Sequence, residues 1–149
     1  VYFYFNFKRG FMKKLELIDD HRCFVCGMEN PDGLRLQWKT EGLTTFTQFV
    51  PDKKYQGWKG ILHGGIIATL LDEAMTRLAG EICGGALTAE MTVRFVTPAL
   101  IGELLFVRGE ITSESRKIVE LKAVIYALHE SEKIIAHSTG KAIKMLDVI

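Results

Sequence analysis

His63-Gly64-Gly65-Ile66-Ile67-Ala68-Thr69-Leu70-Leu71-Asp72 decides how this chain is read. A histidine and two glycines open a long apolar pattern, and a single carboxylate stands two turns inside it. Ile66, Ile67, Leu70, Leu71, Ala74, Met75, Leu78, Ala79 and Ile82 recur at the i, i+3, i+4 spacing of a buried helix face. The first N–H groups of a helix have no partner within it, and they sit at its positive end. Gly64 and Gly65 add no side chain there, so both N–H groups are expected to be open to a developing oxyanion. Asp72 is the only acid among the eight residues after Gly64, which makes it the candidate base.

The same spacing bears on assembly. Eight residues at a helical rise of 1.5 Å separate Gly64 from Asp72 by about 12 Å along the axis. One small carbonyl cannot touch both groups of one helix. A shared site therefore requires Asp72 of a second copy, which predicts a twofold dimer with two equivalent sites, and leaves a tetramer open.

Composition limits the alternatives. The 149 residues suit one domain with a sizeable core, and 48% hydrophobic with 25% charged residues is ordinary globular composition. A formal charge of +1 argues against nucleic acid as a partner. No apolar run is long enough for a membrane-spanning helix, so no membrane partner is expected. Three cysteines, an odd number, fit a reducing cytoplasm better than a disulfide framework. Val1 to Phe7 is rich in aromatics and lacks the marks of a signal peptide. With Met12-Lys13-Lys14 as a plausible alternative start, residues 1–12 are read as a non-native or disordered extension and 13–149 as the single domain.

Outward from the helix, the pattern is strand-rich. Residues 13–33 read as short helix or coil ending in the turn Asn30-Pro31-Asp32-Gly33. Leu34 to Lys39 and Leu43 to Val50 read as a hairpin around Glu41-Gly42, closed by Pro51. A loop over 52–62 carries Trp58, and the helix runs from about Gly64 to Glu81, with Gly84-Gly85 as its stop. Four strands follow, at Ala86–Val96, Glu103–Ser113, Lys117–Leu128 and Lys133–Leu146. In the first, Leu87, Ala89, Met91, Val93 and Phe95 alternate with Thr88, Glu90, Thr92 and Arg94; in the third, Val119, Leu121, Ala123, Ile125 and Ala127 share one side. Short connections favour antiparallel pairing, so the expected class is α+β, one antiparallel sheet wrapped around one helix.

With these segments in place, the chain resembles the hotdog-fold acyl-CoA thioesterases, in the 4-hydroxybenzoyl-CoA thioesterase superfamily and its phenylacetate-pathway (PaaI-like) branch. The resemblance rests on His63-Gly64-Gly65 with Asp72, on Leu87-Thr88-Ala89-Glu90-Met91, and on Val93-Arg94-Phe95 followed by Pro98 and Gly102. Cys23-Phe24-Val25-Cys26-Gly27, with Asn30-Pro31 and Gly33-Leu34, is similar to the N-terminal segment of some members. It implies a hotdog fold and hydrolysis of an acyl-CoA thioester, with Gly64 and Gly65 at the oxyanion end and Asp72 as base or nucleophile. It also implies a Thr88 hydroxyl near the attacking water. No metal or redox cofactor is implied, since the CoA belongs to the substrate. One position departs from the pattern: many relatives carry Asn six residues before the histidine, where this chain has Gly57, with Gln56 adjacent as the candidate substitute.

Each candidate also has a plainer reading. Gly64-Gly65 can be a tight turn into a helix, and Asp72 can be a solvated surface acid. Glu73 lies about 100° away on the helical wheel and so points elsewhere. His63 is assigned to positioning, with proton transfer as the alternative role. Thr88 can be an ordinary β-branched strand residue, and Thr76, one turn after Asp72, competes for its role. Arg94, Arg116 and Lys117 are candidates for CoA phosphates or simply solvated cations. Cys23 and Cys26 have metal-ligand spacing, but no second ligand pair follows, so buried thiols rather than a metal site are expected. Two other functions remain on the same fold: dehydration or hydration of a hydroxyacyl thioester, and non-catalytic acyl-CoA binding. Lys59 to His63 does not match the Pro-Gly-His-Pro-like loop of the dehydratases, and a binding module has no need of a base.

Overall fold

The computed structural model describes residues 17–128 and 132–145. The proposed extension over 1–12 therefore lies outside the described residues. The elements run β1 (Lys39–Glu41), β2 (Thr44–Phe49), α1 (Gly64–Cys83), β3 (Ala86–Phe95), β4 (Leu105–Glu114), β5 (Ile118–Leu128) and β6 (Glu132–Lys144). All six strands join one antiparallel sheet in the order β1-β2-β4-β5-β6-β3, and α1 packs against β2 through β6.

Helix α1 forms where the 3.6-residue pattern requires it. Ile67, Leu70, Leu71, Ala74, Met75, Leu78, Ala79 and Cys83 are buried. The apolar stripe is narrower at its ends than the sequence suggests, because Ile66 is only half-buried and Ile82 is exposed while Cys83 turns inward. Gly84 ends the helix in the left-handed region at φ 76°, where glycine has no Cβ to clash. On β4, a Cβ at Gly109 would stand 2.3 Å from the carbonyl oxygen of Ala74, so a side chain there would push α1 off the sheet. Val119, Leu121, Ala123, Ile125 and Ala127 of β5 are all buried, as their alternation predicts.

Two strand readings need correction. Of the strand expected over Leu34–Lys39 only Lys39 joins the sheet, and β1 instead takes in Thr40 and Glu41, expected near the turn. Arg35 adopts φ 53°, which breaks the extended backbone, and Leu34 and Leu36 donate instead to the carbonyls of Phe24 and Val25. The N-terminal segment is thus coil and turn folded back on residues 34–36, with no helix among its described residues.

Strand β3 does not alternate strictly. A β-bulge interrupts its pairing with β6 between Thr88 and Glu90. Such an extra residue shifts which side chains face inward. Ala86 is buried and Thr88 reaches α1, whereas beyond the bulge it is Met91 and Val93 that pack on the core. Leu87 and Ala89 are exposed, so they do not share a face with Met91, Val93 and Phe95 as the simple alternation implied. Among the described residues, β3 is also the last strand of the sheet, with one edge unpaired.

Candidate active site

The site is built around the two ends of one strand. Where β3 begins, Thr88 Oγ1 donates to Asp72 Oδ1 at 2.6 Å, and Thr76 Oγ1 lies 3.4 Å from the same oxygen. The two threonine hydroxyls also touch each other. A hydroxyl has one proton to give. Thr88 spends its proton on Asp72, so Thr76 donates into that pair. The competition between Thr76 and Thr88 thus resolves into a chain of hydroxyls that ends on the carboxylate. Both converge on Oδ1, and Oδ2 has no partner among the described residues. The bulge after Thr88 allows an outward-reading strand position to reach the helix; sequence alternation gave no sign of it.

Where β3 ends, the ring of Phe95 covers the start of α1. A Cβ added at Gly64 would lie 3.4 Å from Phe95 Cε1, so the bare glycine leaves a narrow space beneath the ring. The first N–H groups of α1 divide unequally. Ile66 and Ile67 donate to the carbonyl of His63, and Gly65 donates to His63 Nδ1 at 2.9 Å. Only the Gly64 N–H has no partner among the described residues. This corrects the expectation that Gly65 offers a second open N–H: the imidazole caps it. His63 is the helix N-cap at φ −64° and ψ 133°. With Nδ1 accepting, the proton of the neutral ring sits on Nε2, which suits positioning better than proton abstraction in this arrangement. The ring fits because glycines flank it: a Cβ at Gly65 would meet Nδ1 at 2.9 Å, and one at Gly57 would meet Cδ2 at 3.2 Å. At Gly57, which departs from the family pattern, a side chain would crowd the His63 ring.

The remaining candidates are dispersed. Gln56 Oε1 accepts the N–H of Gly60 at 3.3 Å, which ties that side chain to its own loop. Arg94 is exposed on β3 opposite His137, one residue from Phe95. Arg116 and Lys117 lie in the turn between β4 and β5, at the other end of α1, where Cys83 Sγ donates to Glu114 Oε1 at 3.9 Å. The three cations do not form one cluster within a chain.

Asp72 and Glu73 do point different ways. Cys23 Sγ donates to Glu73 Oε2 at 3.8 Å, on the flank of α1 that meets the N-terminal segment. Burial first, then the neighbouring Glu73 and Cys23, pushes the Cys26 thiol up to about 12. Sequence reasoning missed this contact because fifty residues separate its partners.

The family model of the Thioesterase superfamily matches residues 59–133, half of the chain, spanning α1, β3, β4 and β5. The chain belongs to the thioesterase superfamily. It is 34% identical over 71 residues to acyl-coenzyme A thioesterase THEM4 of Xenopus laevis, a match covering 47% of this chain and 32% of that protein. The chain thus corresponds to about a third of the length of this curated relative. Among solved structures, a thioesterase family protein from Silicibacter pomeroyi aligns at TM-score 0.66 with 26% identity, covering 72% of this chain and 82% of the other. The PaaI protein of the E. coli phenylacetic acid degradation operon aligns at TM-score 0.68 with 15% identity, over 73% of this chain and 78% of that one. One long helix against a six-stranded antiparallel sheet is the hotdog fold these relatives share. Among the described residues, no helix is long and apolar enough to cross a membrane.

Proposed function

We propose that this protein hydrolyses acyl-CoA thioesters, water and the thioester giving the free acid and CoA, at sites shared between two copies of the chain. The observation that carries the reading is Asp72 held through Oδ1 by Thr88 of β3, with Oδ2 unpartnered among the described residues, while the far end of β3 sets Phe95 against Gly64. Thr88 marks the base and Phe95 marks the oxyanion end. An antiparallel twofold pairing of β3 with a second copy, centred between Met91 and Thr92, sets Thr88 opposite the second copy's Phe95. Asp72 then stands beside the second copy's Gly64. The open edge of β3 and its exposed Leu87 and Phe95 support that pairing, since unpaired edges with apolar side chains favour strand addition. A tetramer would add a second kind of contact and leave this site unchanged.

In the site so formed, the thioester carbonyl lies against the Gly64 N–H, at the positive end of α1, where charge on oxygen is stabilised as it develops. Asp72 either takes a proton from water as the water attacks the carbonyl, or itself attacks the carbonyl, breaking the C–S bond and releasing CoA thiolate to leave an anhydride that water opens to the free acid and Asp72. Thr88 and Thr76 fix the carboxylate in either route. Arg94 is the cation nearest the oxyanion end along β3, and it is the candidate for CoA phosphates there. The curated relative's name supports CoA as the thiol. Free thiols at Cys23, Cys26 and Cys83 fit a cytoplasmic protein. CoA release, followed across short, long and aromatic acyl-CoAs, tests the reading. Turnover of at least one class that disappears in Asp72→Asn supports it. Thioester binding without release by the wild type would support a binding module instead.

A further inference from the structure

The geometry points to a divalent zinc-type metal site formed by Cys23, Cys26 and Glu73, on the opposite flank of α1 from Thr88. One ligand atom from each residue lies within 4.8 Å of the other two. Bonds of about 2.3 Å to sulfur and about 2.1 Å to oxygen in a tetrahedral site put those two atoms about 3.6 Å apart. The Cys23 Sγ to Glu73 Oε2 separation is 3.8 Å, so little movement is needed to place an ion between them. Two thiolates with a carboxylate suit zinc-like ions rather than calcium or magnesium, which prefer all-oxygen sites. All three residues are half-buried, within reach of an entering ion and of a water to fill the fourth position.

The turn that carries the thiols is already shaped. Gly27 N–H donates to the Cys23 carbonyl at 2.9 Å, and Val25 N–H donates to Cys23 Sγ at 3.4 Å. A backbone donor to the sulfur orients it and stabilises it as a thiolate ligand. A Cβ at Gly27 would stand 2.4 Å from the Cys23 backbone nitrogen, so only glycine closes the turn this tightly. Val25, between the cysteines, is 4% exposed and anchors the turn in the core, while Phe24 and Val25 carbonyls accept from Leu34 and Leu36. The pair Cys-x-x-Cys lacked further ligands in sequence, and the fold supplies a third from the catalytic-side helix. Binding would exchange two thiol protons for the ion and tie residues 23–27 to the position next to Asp72. The site does not depend on the chain being a hydrolase.

The test is titration of reduced, metal-stripped, untagged protein with Co²⁺ alone, then displacement by Zn²⁺. Wild type is expected to take up one equivalent per chain with a thiolate-to-cobalt absorption band. Cys83→Ser should match it, Glu73→Gln should bind at least about tenfold more weakly, and Cys23→Ser/Cys26→Ser should show no band. Uptake by wild type no greater than by the double variant, or a band that vanishes only in Cys83→Ser, overturns the proposal. Should the double variant fail to fold, wild type alone decides: Zn²⁺ must slow modification of Cys23 and Cys26 by a disulfide reagent, and unchanged rates reject the site.

Discussion

Asp72 and Glu73 are adjacent acids on one helix, and the fold gives them different surroundings. Asp72 meets two hydroxyls at one oxygen, and the other has no partner among the described residues. Glu73 meets two thiols on a turn tied to the core by backbone bonds. Helical geometry separates the two side chains by about 100°, and the elements on either side do the rest. A carboxylate positioned by hydroxyls at an open edge suits proton transfer to a bound substrate. A carboxylate facing thiols suits coordination. The chemistry of each acid thus follows from what packs beside it, and both could not be served by one residue.

The comparison is broken most severely at Asp72. Asp72→Asn should keep its fold and bind acyl-CoA near normally, but lose about 10² or more in kcat, since the general base is gone. Steady-state CoA release with a circular-dichroism control checks this. Thr88→Val keeps the carboxylate and removes its hydroxyl donor; kcat should fall about tenfold, because a lost hydrogen bond to a charged group costs about 1.5–3 kcal/mol and Thr76 can take up part of it. Glu73→Gln sharpens the contrast from the other side: its kcat should stay within about threefold of wild type, since the change lies on the far flank of α1. A Glu73→Gln loss as large as that of Asp72→Asn would mean the two flanks are not separate in function.

Much of this was legible in the sequence because it is periodic. The helix after Gly64, its stop at Gly84, the buried side of β5 and the four closing strands follow from spacings of 3.6 and 2. The pairing of Gly64 with Asp72 as candidates rests on the same arithmetic. What escaped was non-periodic or distant. Residues 34–38, with a positive φ at Arg35, stay out of the sheet, and a bulge after Thr88 re-aimed β3; neither leaves a composition signal. The capping of Gly65 by His63 depends on a rotamer, not on spacing. The Glu73 contact joins residues fifty positions apart, so only the folded chain could show the third partner of Cys23 and Cys26.

The central claim is that each site takes its open Gly64 N–H from one chain and Asp72 from another. Mixing an Asp72→Asn chain with a Gly64→Val chain tests it most directly, because each parent dimer lacks one component at both sites. In a heterodimer, one site carries both lesions and the other carries none. The account predicts recovery of activity to about half of the wild-type sites per heterodimer once the chains exchange. Confirmed heterodimers of two folded chains that stay as inactive as their parents would contradict it.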